Sequence, residues 1–112
     1  MTQYLVAIHR PNDYDPATED DAMGRAIDAL NAAMVTAGVR VFVGGLHPIT
    51  SAKSLQLRSN GEVVDADGPY LKGSEHVGGF WVLEVATLDE ALAWGRKAAV
   101  ACRASVEVRA FH

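Results

Sequence analysis

The feature that most constrains this chain is a pattern that occurs twice: an apolar strand run, a turn, an amphipathic helix, then a second strand. Tyr4 to Ile8 is five consecutive apolar residues, and Phe80 to Val85 is apolar except for Glu84. Runs this short, rich in β-branched and aromatic residues and bounded by Pro11 on one side and Gly78-Gly79 on the other, read as strands. Their neighbouring positions are apolar on both sides of the chain, so both faces of the sheet they form are expected to be largely apolar. Two helices cover only one face. The uncovered one predicts a homodimer packed sheet on sheet.

Between these runs the chain punctuates clearly. "QYLVAIHR" is the first strand, and "PNDYDPAT" after it is turn chemistry. Helix one is expected to start at Thr18 as N-cap, with Asp21 three residues on; Met23, Ile27, Leu30 and Met34 form its stripe, Ala26, Ala33 and Ala37 widen it, and Gly38 ends it. "VRVFVGG", Val39 to Gly45, is the second strand. "SLQLRS" and "EVVDA" flank Asn60-Gly61, which predicts a hairpin closed by a two-residue turn with φ > 0 at both positions. After "GFWVLEVA", Thr87 to Glu90 reads as a capping box opening helix two, with Leu88, Ala91, Leu92, Ala98 and Ala99 inward. "SVEVRAF" closes the chain as a strand alternating Val106 and Val108 with Glu107 and Arg109. The order is that of an α+β ferredoxin-like split βαβ fold with an added hairpin strand, and residues 1–112 are expected to form one domain.

Composition narrows the function classes. Ten basic and fourteen acidic residues give a formal charge of -4, and no Lys/Arg stripe offers a surface for phosphates, so nucleic acid is not an expected partner. Cys102 is the only cysteine, which excludes an internal disulfide and fits a reducing cytoplasm; in its Ala-rich setting it reads as a small buried hydrophobe. No stretch has the length and apolarity of a membrane span, and the first residues have no basic leader, so no membrane association is expected.

The stretch most suggestive of chemistry is "DGPYLKGSEHVGGF", Asp67 to Phe80: an acid, a Gly-Pro turn, a histidine and two glycines ahead of a core strand. Asp67 could serve as a general base or could bond the backbone of its own turn. His47, in the "LHPITSA" loop, could supply an imidazole or be an ordinary exposed loop residue. His9, at the end of the first strand, could line the dimer barrel or satisfy a backbone carbonyl. His76 reads as surface company for Glu75 and Lys72 in a polar loop. None of the histidines shows metal-ligand spacing, so neither a metal nor another cofactor is expected. Gly78-Gly79 precedes a strand and not a helix, so it is a kink or close-approach site and not a phosphate loop.

Asp67-Gly68-Pro69-Tyr70, Glu75 and Gly78-Gly79-Phe80, together with "LDEALAW", "SVEVR", "GGLHP" and the N-terminal "YLVAIHRP", resemble the YCII-related family and, within it, the DGPF branch, whose loop reads D-G-P-F-A-E-T-K-E with G-G-F shortly after. The likeness spans nearly the whole chain. It departs at Tyr70, which stands for Phe, and at Leu71-Lys72-Gly73-Ser74, which stand for A-E-T-K. The resemblance implies a dimeric α+β barrel with a cleft near the DGP loop and no settled activity for most members. Some relatives are similar to small lyases or dehydrohalogenases with a His and Asp pair, the His on helix one; helix one here has no histidine, so that pair is not carried over. Two functional readings follow. In the first, a cytoplasmic homodimer binds a small-molecule ligand in a cleft bordered by Gly68, Pro69, Tyr70 and His9. In the second, the chain is a lyase or isomerase using Asp67 and His47 as acid and base.

Overall fold

A computed structural model describes residues 1–112. Its main sheet takes β1 (Thr2–Pro11), β2 (Arg40–Gly45), β5 (Glu75–Val85) and β6 (Ser105–Ala110) in the order β2-β5-β1-β6, all antiparallel. Helices α1 (Asp21–Thr36) and α2 (Leu88–Cys102) lie on one face. This is the ferredoxin-like arrangement. The expected hairpin, β3 (Lys53–Leu57) and β4 (Val63–Asp67), does form, but as a separate two-stranded sheet and not as an added strand of the main one. Its turn also differs. Gly61 N donates to Arg58 O at 2.9 Å and only Gly61, at φ 88°, has positive φ. That is a turn over Arg58 to Gly61 whose last residue is the left-handed glycine, the three-residue hairpin loop; Asn60 instead accepts from Glu62 N through its side chain.

The core sits between helices and sheet. Tyr4, Val6 and Ile8 of β1 and Trp81, Leu83 and Val85 of β5 point to the helices, which contribute Met23, Leu30, Met34, Ala91, Ala98, Ala101 and Cys102. Met23, Leu30 and Met34 are buried as the stripe predicts and Ile27 is half-buried, whereas Ala26, Ala33 and Ala37 are exposed and do not widen it. On α2 Ala91 and Ala98 are buried as expected and Leu92 and Ala99 are half-buried, but Leu88 is exposed, and Gly95 is buried, so close to β6 that a Cβ there would stand 2.8 Å from Val108 Cγ2.

The helix ends follow capping chemistry. Asp20, and not Thr18, caps α1, its Oδ1 accepting from Met23 N at 2.8 Å; Thr18 belongs to a short 3-10 turn, Pro16–Thr18, capped by Asp15. Pro16 and the Asp15 cap give that segment its own turn, which delays the helix. Val39 N to Met34 O and Gly38 N to Val35 O close α1 in the expected way. Thr87 caps α2 through Glu90 N, and Glu90 reaches back to Ala86 N.

The other face of the sheet has no layer over it. Leu5, Ala7, Phe80 and Val82 lie there with Phe42, whose ring centroid is 5.7 Å from that of Phe80. The β6 edge of that face is polar, with Glu107 and Arg109, so the face is less uniformly apolar than expected. The molecule is a plate of 48 × 37 × 17 Å with a radius of gyration of 16.0 Å, against roughly 13 Å for a compact domain of this length.

Candidate functional site

The site-bearing end of the molecule is built by an irregularity between β1 and β5. Ile8 pairs with Gly79 and His9 with Val77, so Gly78 is left over as a bulge. Beyond it β5 extends back to Glu75, which makes the second half of the expected loop a strand. Arg10 is thereby set opposite His76. Gly79 lets β2 come close: a Cβ at this position would lie 2.8 Å from Gly44 O and 3.1 Å from Gly45 Cα. Leu46 N then donates to Gly78 O at 2.8 Å, which fixes the start of the 46–52 loop.

Two hollows flank that loop. One, of about 420 Å³, is bordered by His47, Pro48, Pro69, His76 and Val77. The other, of about 480 Å³, is bordered by Arg10, Asn12, Tyr14, His47 and His76. His47 and His76 border both hollows, which adjoin at these histidines and are together called the cleft.

Asn12 organises the wall of this cleft. Its backbone N–H donates to Ser74 O at 2.9 Å, its Nδ2 donates to Gly73 O at 2.7 Å, and its Oδ1 lies 3.0 Å from His76 Nδ1. Arg10 reaches from the cleft to the end of α2: Nη1 donates to Cys102 O at 2.6 Å, the last carbonyl of α2, and the guanidinium lies 4.4 Å from the centroid of the Tyr14 ring. A cation at a helix C-terminus is favourable because the helix dipole is negative there. Tyr14 donates its hydroxyl to Glu19 Oε2 at 2.7 Å; desolvation and then that bond push the phenol above its ordinary range. Burial likewise raises the Cys102 thiol, which disfavours the reactive thiolate.

The sequence candidates are placed unevenly. His47 and Pro69 border the cleft. Asp67, at the end of β4, is exposed and bonded to Lys53 Nζ at 2.5 Å, and it borders a separate hollow of about 410 Å³ on the hairpin and neither half of the cleft. Gly68, at φ 92°, donates its N–H to Ala52 O at 2.8 Å and closes the base of the hairpin. Tyr70 is exposed. His9 lies on β1 3.8 Å from Glu107 on β6, away from the cleft. Sequence reasoning missed Arg10, Asn12 and His76. His76 is half-buried on a strand and not in a surface loop. The available signal was the pair of glycines: a Gly-Gly bulge in a central strand re-aims the residues before it, His76 among them. No group of three or more potential metal ligands is present.

A small α+β protein with a ferredoxin-like sheet, one open sheet face and a histidine-flanked cleft at the end of its central strands is the class that fold and site define. Residues 1–111 match the family model of the YCII-related domain, and the chain belongs to that family. It is also similar to an uncharacterized protein of Rhizobium meliloti (strain 1021), 37% identical over 78 residues, which is 70% of this chain and 62% of that protein's length.

Proposed function

We propose that the chain binds a small ligand in the cleft between the 46–52 loop, Pro69 and the start of β5, as a protein of the DGPF branch working in the cytoplasm as one half of a dimeric α+β barrel. The observation that carries this reading is the hollow of about 420 Å³ that gathers His47, Pro69 and His76. Its size falls within the range of small-molecule sites. A few polar groups on an otherwise apolar wall suit binding and orientation. The acid/base alternative would need the Asp67 carboxylate beside His47, and that carboxylate is engaged by Lys53 on the hairpin.

The dimer is supported by the open face bearing Leu5, Phe42, Phe80 and Val82, and by the thin, extended shape. The hairpin adds exposed Leu55, Leu57 and Val63, and an isolated two-stranded hairpin gains little stability in water unless it meets another surface.

The binding reading is tested with a ligand selected by thermal shift from an unbiased small-molecule library. Titration calorimetry should show affinity reduced at least ~10-fold in His47→Ala, the scale of one lost polar contact, and nearly unchanged in Asp67→Asn. The reverse ranking would support the acid/base reading instead.

A further inference from the structure

Resting on that cleft reading, the chemistry of its wall narrows the ligand class. Asn12 has one carbonyl and one amino group on its amide, and a backbone carbonyl accepts only. The contact with Gly73 O therefore places the Asn12 nitrogen on that side, and Oδ1 faces His76. Oδ1 also only accepts, so His76 Nδ1 carries the ring proton and donates. The neutral imidazole is then left with Nε2 as a bare acceptor. Asn12 does not drift from this orientation easily, because its own backbone is bonded to Ser74.

Across the β1–β5 ladder stands Arg10, the register partner of His76. Directly opposed side chains on one face start roughly 5 Å apart at Cβ, so a single small molecule can touch both. Arg10 is half-buried, and it forms no ion pair: the carboxylates of the four ion pairs are held by other residues, and Arg10 spends one N–H group on Cys102 O. The guanidinium has five N–H donors, so most remain available to a ligand; Arg10 and His76 both border the hollow of about 480 Å³, as does Glu19, whose carboxylate accepts from the Tyr14 hydroxyl.

We propose that the cleft takes a small hydroxycarboxylate, its carboxylate on the free N–H groups of Arg10 and its hydroxyl donating to Nε2 of His76. The two groups complement each other: a guanidinium selects the anion, and an acceptor nitrogen selects a hydroxyl over a hydrogen or a methyl. Asn12 acts as a positioning residue that, in the neutral ring, sets the proton on Nδ1 and leaves Nε2 as the acceptor.

The test uses two matched pairs, 3-hydroxybutyrate with butyrate and 3-hydroxybenzoate with benzoate, titrated into the labelled protein and followed by NMR. In the wild type the hydroxy member of at least one pair should bind about ten-fold more tightly than its partner. In His76→Ala that advantage should vanish while the affinity for the plain carboxylate persists. Long-range proton–nitrogen spectra of the histidine rings supply the second readout: above neutral pH His76 should carry its proton on Nδ1 in the wild type and redistribute it between both nitrogens in Asn12→Leu. A proton on Nε2 in the wild type, equal affinities within both pairs, or no binding of any of the four acids would overturn the proposal. If the four acids fail but a library ligand shifts the signals of His47 and its neighbours, the cleft reading stands and only the hydroxycarboxylate falls; if nothing reaches the cleft, both fall.

Discussion

Replacing Gly79 by alanine should force β2 away from β5. The new methyl group would stand 2.8 Å from Gly44 O and 3.1 Å from Gly45 Cα, both backbone atoms of β2 that no side-chain rotation can move aside. Overpacking of this kind costs about 1–3 kcal/mol, and a ladder hydrogen bond pulled out of line adds about 1 kcal/mol. Against this, alanine has less unfolded-state freedom than glycine, which returns about 0.4–1 kcal/mol. The net expectation is a loss of about 1–3.6 kcal/mol. Two neighbours are internal controls. A Cβ at Gly45 meets nothing within 4 Å, so Gly45→Ala should stay within about 0.5 kcal/mol of wild type. A Cβ at Gly78 meets Arg10 Cγ at 2.9 Å, the stem of a long side chain that can shift, so Gly78→Ala should fall between the two. Urea unfolding with a common m-value ranks the three, at one protein concentration because association would move the midpoints. A Gly79→Ala midpoint equal to that of Gly45→Ala would refute the close-approach argument.

Leu30→Ala should cost about 2–5 kcal/mol, since Leu30 is 7% exposed within the helix–sheet core, and an unchanged urea midpoint would contradict that packing. Light scattering at micromolar concentration should give about twice the 12.0 kDa chain mass for the wild type, and the single-chain mass for Phe42→Lys, which puts a charge on the open sheet face; a wild-type monomer would remove the dimer. Asp20 accepts from Met23 N and pairs with Arg103 Nη2 at 3.0 Å, which together hold its carboxyl below the ordinary 3.8. The stability this contributes is present above the unfolded-state value and is lost as pH falls through the folded one. Asp20→Asn should therefore be slightly less stable than wild type near neutrality and converge with it in strong acid; a difference that does not change with pH would contradict the linkage.

The fold was legible because its signals are local and repeated. Tyr4 to Ile8 and Phe80 to Val85 are β-rich runs, the Met23 to Met34 stripe has helical period, and Thr87 with Glu90 marks a helix start. Errors arose where two local signals compete: Thr18 resembles an N-cap, but the Asp15-Pro16 turn uses that segment first and leaves Asp20 to cap α1. On α2, periodicity ranks leucine above glycine, whereas close approach to Val108 selects Gly95. The cleft was only half legible. His47 and Pro69 were visible as loop residues of a chemical type, but Asn12, Arg10 and His76 meet through long-range pairing, 64 residues apart for the Asn12–His76 bond. Asp67 drew attention as an acid beside a rigid turn. Its partner Lys53 lies 14 residues back across the hairpin, where no local pattern announces it.

The measurement closest to the central claim is chemical-shift mapping on the assigned, labelled protein with a ligand from the unbiased library. The largest shifts should fall on His47, His76 and the residues flanking Pro69, with Asp67 and the β3–β4 turn little changed. Shifts centred on Asp67 and Lys53, or on His9 and the open sheet face, with the His47–His76 cleft silent, would contradict it.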